Sequence, residues 1–131
     1  LERLEKNIQK KLKMANLYDG LFSNADGIRI IRADSWSRTV YWRYTIFLDE
    51  RINIKKFKEE SIKLGISTRE TYLPLHLHPY FKEHNNLSLP NCEKIGRLAI
   101  DIPSSFNLSE KDIMYIAENL KKIAKKLLTS K

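Results

Sequence analysis

The chain has 131 residues, 42% of them hydrophobic, which is enough for one domain with its own core and too apolar for wholesale disorder. Its 24 Lys and Arg against 16 Asp and Glu give a formal charge of +8, which favours anionic partners: nucleic acid, phosphate groups or an acidic neighbouring domain. A single cysteine, Cys92, excludes an internal disulfide, and no apolar run approaches the roughly 20 residues that span a bilayer, so a cytoplasmic protein away from membranes is expected.

The N-terminal stretch carries Leu1, Leu4, Ile8, Leu12 and Ala15 at spacings of three and four. That is one apolar stripe of a helix, thickened by Leu17, Tyr18, Leu21 and Phe22, with Glu2, Lys6, Lys10 and Lys13 facing outward. The turn formers from Ser23 to Gly27 stop it. A helix this long at the start of a chain whose first methionine is Met14 is expected to be cut from something larger.

Ile28 to Ile31 reads as a short strand and Arg32 to Arg38 as a polar loop. Thr39 to Leu48 is the strongest strand signal, rich in β-branched and aromatic residues. Alternation would put Val40, Trp42, Tyr44 and Ile46 on one face and Tyr41, Arg43, Thr45 and Phe47 on the other. Such a strand could be a base-stacking platform; core packing is the expected use. Asp49 or Asn53 would cap the next helix, with Ile54, Phe57, Ile62 and Leu64 inward and Gly65 at its left-handed end. Ile66 to Tyr72 would return to the sheet, ahead of a loop that holds His76 and His78 between Pro74 and Pro79.

The His84-Asn85-Asn86 stretch is a polar turn, and Pro90 suits the first turn of a helix with Cys92, Ile95, Leu98 and Ala99 inward. A short extended piece, Ile100-Asp101-Ile102, follows. Ser109 and Asp112 form a capping-box pattern for a last helix striped by Ile113, Ile116, Leu120, Ile123 and Leu127. The lysine pairs at 10–11, 55–56, 121–122 and 125–126 fall away from these stripes and are expected on solvated helix faces. The fold class is therefore α+β: a small sheet of three or four strands, antiparallel or mixed, flanked by helices, with the long N-terminal helix projecting.

Little chemistry is legible from residue types alone. His76 and His78, two apart, would share a strand face, and His84 could complete a three-histidine site, but no cysteine or carboxylate joins at a metal-ligand spacing. No nucleophile elbow and no Gly-rich phosphate loop is present. Arg69, Tyr72 and His76 on a proline-stiffened loop remain the candidate site.

The stretch Gly65-Ile66-x-Thr68-Arg69, then Tyr72-x-Pro74-Leu75-His76-Leu77-x-Pro79, resembles the C-terminal part of the DegT/DnrJ/StrS family. Tyr41-Trp42-x-Tyr44-Thr45-Ile46, Leu89-Pro90 with Glu93, Ile102-Pro103 and Leu108-Ser109 resemble other motifs of that family, in order along the chain. His78 departs from the family's usual glutamine, and Ser104-Ser105-Phe106 departs from its usual turn. The resemblance implies a pyridoxal-phosphate (PLP) aminotransferase that moves an amino group, usually from glutamate, onto a nucleotide-linked keto sugar. It also implies that residues 1–24 are the helix linking a missing N-terminal large domain to the small domain at 25–131. The lysine that anchors PLP in this family belongs to the large domain, so this chain alone is expected to be inactive and to bind no PLP. By resemblance Tyr72 and His76 face the active site and contact substrate, and Arg69 either pairs with a substrate anion or braces the loop. Family members are usually homodimers. The alternative is a free-standing basic module for nucleic acid or a protein partner, with nucleic acid the less expected of the two.

Overall fold

Periodicity in the N-terminal stretch does produce a helix. The computed structural model describes residues 2–84 and 86–129, apart from the side chains of Lys82 and His84, and places α1 at Leu4–Phe22. Its stripe splits in two. Met14, Ala15, Tyr18 and Phe22 are buried, whereas Leu4 is 54% exposed and Ile8 and Leu12 are only partly covered. Leu1 lies outside the described residues.

Four strands follow: β1 (Ile28–Ile30), β2 (Tyr44–Leu48), β3 (Arg69–Glu70) and β4 (Ala99–Ile102). They form one sheet in the order β1-β2-β4-β3, and every neighbouring pair is antiparallel. The register sets Ile46 opposite both Ile30 and Ile100, and Tyr44 opposite Ile102. Because side chains alternate, Tyr44, Ile46, Leu48, Ile100 and Ile102 share one face. That face packs with α1, α2 (Ile54–Lys63) and α4 (Glu110–Thr129) around Phe22, Phe57, Ile66 and Leu120. Burying an Ile or Phe fully is worth about 1.5–3 kcal/mol, so this layer holds the fold.

The local signals at the helix ends behave as chemistry dictates. Asn53, not Asp49, caps α2, its side chain accepting from Lys56 N at 3.1 Å. Asp49 instead makes a turn with Arg51, whose backbone and guanidinium both donate to it. At the other end Gly65 takes φ +72°, and the pair Ile66 N to Ser61 O and Gly65 N to Ile62 O closes a Schellman motif. Ser109 and Asp112 exchange hydrogen bonds as a capping box, and Ile113, Ile116, Leu120 and Ile123 of α4 are buried.

Four expectations are corrected. The strong strand begins only at Tyr44, because Tyr41 sits at φ +46°, a left-handed conformation that breaks an extended run. Trp42 consequently leaves the core and is 68% exposed. In α2 the buried pair is Phe57 and Ser61, four apart, while Ile62 turns outward; Ser61 satisfies its buried hydroxyl by donating to Phe57 O at 2.7 Å. The return strand is cut from Ile66–Tyr72 to the two residues of β3, at the sheet edge. Helix α3 (Pro90–Leu98) starts with Pro90 as expected but buries none of its residues; Cys92 is exposed and Ile95 is 48% exposed.

The physical reason for the last correction is position. α3 lies against the second face of the sheet, over Phe47 and the start of β4, away from the core that α1, α2 and α4 build on the first face. Open grooves of about 370 and 340 Å³ remain beside it, both lined by Ile31, Phe47 and Ile95. The domain thus has one closed face and one half-covered face.

Candidate functional site

The half-covered face carries the charged chemistry. Thr45 on β2, Asp101 on β4 and Arg69 on β3 are register partners in one row across three strands. Asp101 is buried, an acid inside the otherwise apolar strand Ala99–Ile102. A buried carboxylate must be paired, and two groups meet it: Arg43 Nη1 donates at 3.0 Å and Thr45 Oγ1 at 2.7 Å. Arg43 stands two residues before Thr45 and so reaches the same face.

Fixed by Asp101, the Arg43 guanidinium lies over two rings, 4.4 Å from the centroid of Trp42 and 4.9 Å from that of Tyr72. Arg69 lies over the same Tyr72 ring at 5.4 Å. These are cation–π distances. Tyr72 is 64% exposed, and Arg69 has no carboxylate partner among the described residues. Two guanidinium groups against one carboxylate leave one positive charge uncompensated at this spot. The arrangement can stack a flat group and bind an anion.

His76 behaves differently from Arg69 and Tyr72. The histidine stretch is not extended; it forms two 3-10 turns, Leu75–Leu77 and Pro79–His84. The first turn rotates His76 inward to 5% exposure, where Nε2 lies 3.2 Å from Glu93 Oε1. A carboxylate only accepts, so Nε2 carries the hydrogen and donates. Glu93 Oε1 also accepts from Leu89 N at 3.0 Å, at the start of α3. The Leu89 amide and then His76 hold the Glu93 carboxyl below its ordinary range. In this chain the His76 ring joins its turn to α3. Gly96 tightens the same junction, since a Cβ there would stand 2.8 Å from Pro74 Cδ.

His78 stacks on Tyr80 at 5.5 Å instead of sharing a face with His76. The side chain of His84, the third histidine of the imagined metal site, and Asn85 of the polar turn lie outside the described residues. Among the described residues no group of three or more His, Cys, Asp or Glu is arranged to hold a metal ion.

Sequence reasoning named Arg69, Tyr72 and His76 as candidates and weighed the strand of Trp42 and Arg43 only as a base-stacking platform; the structure adds Asp101 under Arg43, and Glu93 beside His76. Asp101 alone between Ile100 and Ile102 was the available signal, because a lone acid in a buried strand needs a cation. The partner's identity required the strand register.

The chain belongs to the DegT/DnrJ/EryC1/StrS aminotransferase family, whose model matches residues 1–121. A pleiotropic regulatory protein of Geobacillus stearothermophilus is 29% identical over 89% of this chain and 32% of its own length. A UDP-4-amino-4,6-dideoxy-N-acetyl-beta-L-altrosamine transaminase of Campylobacter jejuni is 22% identical over 97% of this chain and 35% of its own. Among solved structures, Spr1654 from Streptococcus pneumoniae in a PLP form superposes with a TM-score of 0.83 at 22% identity, covering 98% of this chain and 34% of that one. That likeness shows the fold. The chain spans about a third of the length of the relatives it matches.

Proposed function

We propose that this chain is the small, C-terminal domain of a PLP-dependent transaminase that aminates a nucleotide-linked keto sugar, with glutamate as donor, in the cytoplasm. In this reading residues 1–24, which hold α1, link it to a large N-terminal domain outside this chain, residues 25–131 close one side of the cleft, and the intact enzyme is a homodimer. Its product serves cell-surface polysaccharide or secondary-metabolite synthesis. The observation that carries the reading is the family match over residues 1–121. The half-covered stripe of α1 and the open second face of the sheet support it, since both leave apolar area for a neighbouring domain to cover.

PLP supplies the electron sink for moving an amino group, and it needs an amine to hold its aldehyde. The cations at the candidate site are guanidinium groups, which cannot serve. Lys11 donates its Nζ to the carbonyls of Trp42 and Ser104, and Lys13, Lys58, Lys63 and Lys94 each pair with a carboxylate. In this reading the amine that holds PLP belongs to the large domain. Tyr72 and Arg69 act on the substrate side; His76 acts by holding their loop.

The test compares this chain with the intact protein for glutamate-dependent amination of a nucleotide keto sugar and for the visible absorbance of bound PLP. The intact protein should show both and the chain neither. Amination by the chain alone would overturn the reading.

A further inference from the structure

We propose that the outer edge of β1, with the groove between it and α3, docks an extended acidic segment of a protein partner. The site shares no residue with the cluster around Arg43, and the inference does not rest on the function proposed above.

The backbone comes first. β1 ends the sheet, and no strand pairs with its outer side among the described residues. Gly27 O accepts from Asp49 N at 2.9 Å, and Arg29 is the register partner of Phe47. Bonded and non-bonded pairs alternate in an antiparallel ladder, so Arg29 turns its backbone groups towards β2 and Ile30 turns its own outward. Ile28 N is taken up by Ala25 O, which leaves Ile28 O pointing outward beside Ile30. This row of backbone groups is a template for one more strand.

The groove comes second. A cavity of about 490 Å³ opens beside this edge, with Phe47, Leu48 and Leu98 among its lining. It runs into the groove of about 340 Å³ that Ile31 and Ile95 line, since both share Arg29, Phe47, Lys94 and Leu98. An added strand would point alternate side chains into this space.

Charge selects the occupant. Arg29, Arg51 and Lys94 line the larger cavity against Asp49 and Glu50. Both acids are already engaged, Asp49 by Arg51 at 2.7 Å and Glu50 by Lys94 at 2.6 Å. Arg29 lies over the Phe47 ring and has no carboxylate partner among the described residues. A carboxylate opposite Arg29 gains a charge-assisted hydrogen bond, and an apolar residue two places along the same segment reaches Ile31 and Ile95. A second copy fits less well: antiparallel pairing of two β1 strands about their centres sets Arg29 against Arg29, and like charges directly opposite destabilise a sheet.

The test titrates the full chain, at low salt, into a fluorescently labelled, end-capped peptide that alternates Val with Glu, following anisotropy. Saturable binding is expected. A peptide with Lys in place of Glu, and one N-methylated at alternate backbone nitrogens, should each bind at least about tenfold more weakly, the first through charge and the second through lost strand pairing. Arg29→Gln and Ile95→Glu should each weaken the Val/Glu peptide about tenfold. Both side chains are exposed, so the variants keep the fold. No binding at low salt overturns the proposal, as does equal affinity for the N-methylated peptide or unchanged affinity in Arg29→Gln. Binding by this chain but not by the intact protein also overturns it, because the edge is then covered from within. A dimer of the chain that excludes the peptide assigns the edge to a second copy instead. Displacement of the peptide by a short oligothymidylate at lower concentration than by unlabelled peptide overturns it in favour of nucleic acid.

Discussion

His76 Nε2 and Glu93 Oε1 meet at 3.2 Å across 17 residues of chain, and the contact ties the 3-10 turn at Leu75–Leu77 to the first turn of α3. Replacing His76 by Ala removes a buried donor and its ring. The expected loss is about 2–3 kcal/mol, combining a hydrogen bond with a cavity. Urea denaturation read as a shift in midpoint at constant slope measures it. An unchanged midpoint would show that the contact does not hold the turn.

Asp101 offers a second check. Asp101→Asn keeps the shape but removes the charge that fixes Arg43. Since Arg43 is partly exposed, solvent takes up some of the loss, and about 1–3 kcal/mol of destabilisation is expected. Arg43 should also lose its fixed place over Tyr72, visible as a change in the Trp42 environment by fluorescence. Spectra identical to those of the parent would refute the bracing role of Asp101.

Two glycines with similar φ separate strain from crowding. Gly65 has φ +72° and open space where a Cβ would stand, so Gly65→Ala should cost only the left-handed penalty, about 1 kcal/mol. Gly27 has φ +75°, and its Cβ would stand 2.7 Å from Leu128 Cδ1 and 2.9 Å from Ile52 Cδ1. Gly27→Ala adds overpacking and should cost about 2–4 kcal/mol in all. Equal melting points for the two variants would contradict the packing around β1.

Acid stability tests the link between α2 and α4. Glu60 accepts from Lys126 at 2.7 Å and Lys63 at 2.6 Å, and these hold its carboxyl down to about 2. A depressed carboxylate stabilises the fold fully above its unfolded value, about 4.3, and loses that contribution as pH falls towards about 2. Glu60→Gln should therefore lower stability near neutrality and flatten the pH dependence between those limits. A variant as steep as the parent in that window would rule the bridge out as an acid-sensitive element.

The sequence alone determined the elements whose signals are local. The stripe of α4, its Ser109–Asp112 box, the Gly65 stop, Pro90 at the head of α3 and the α+β class all follow from spacing and backbone chemistry that neighbouring residues decide. It also pointed to the family, through ordered motifs, and put Arg69 and Tyr72 three residues apart in the stretch that returns to the sheet. Tertiary structure decided what depends on residues far apart in the chain. Trp42 left the core because Tyr41 turned the backbone, and Ile95 stayed half open because the core of α1, α2 and α4 forms on the opposite face of the sheet. Arg43, Asp101 and Arg69 became one cluster only when β2, β4 and β3 paired in register, and His76 turned from the surface to Glu93 only when α3 packed beside it. Periodicity reports which way a side chain points from its own helix or strand. It carries no information on what stands opposite, and at this site the opposite partner sets the chemistry.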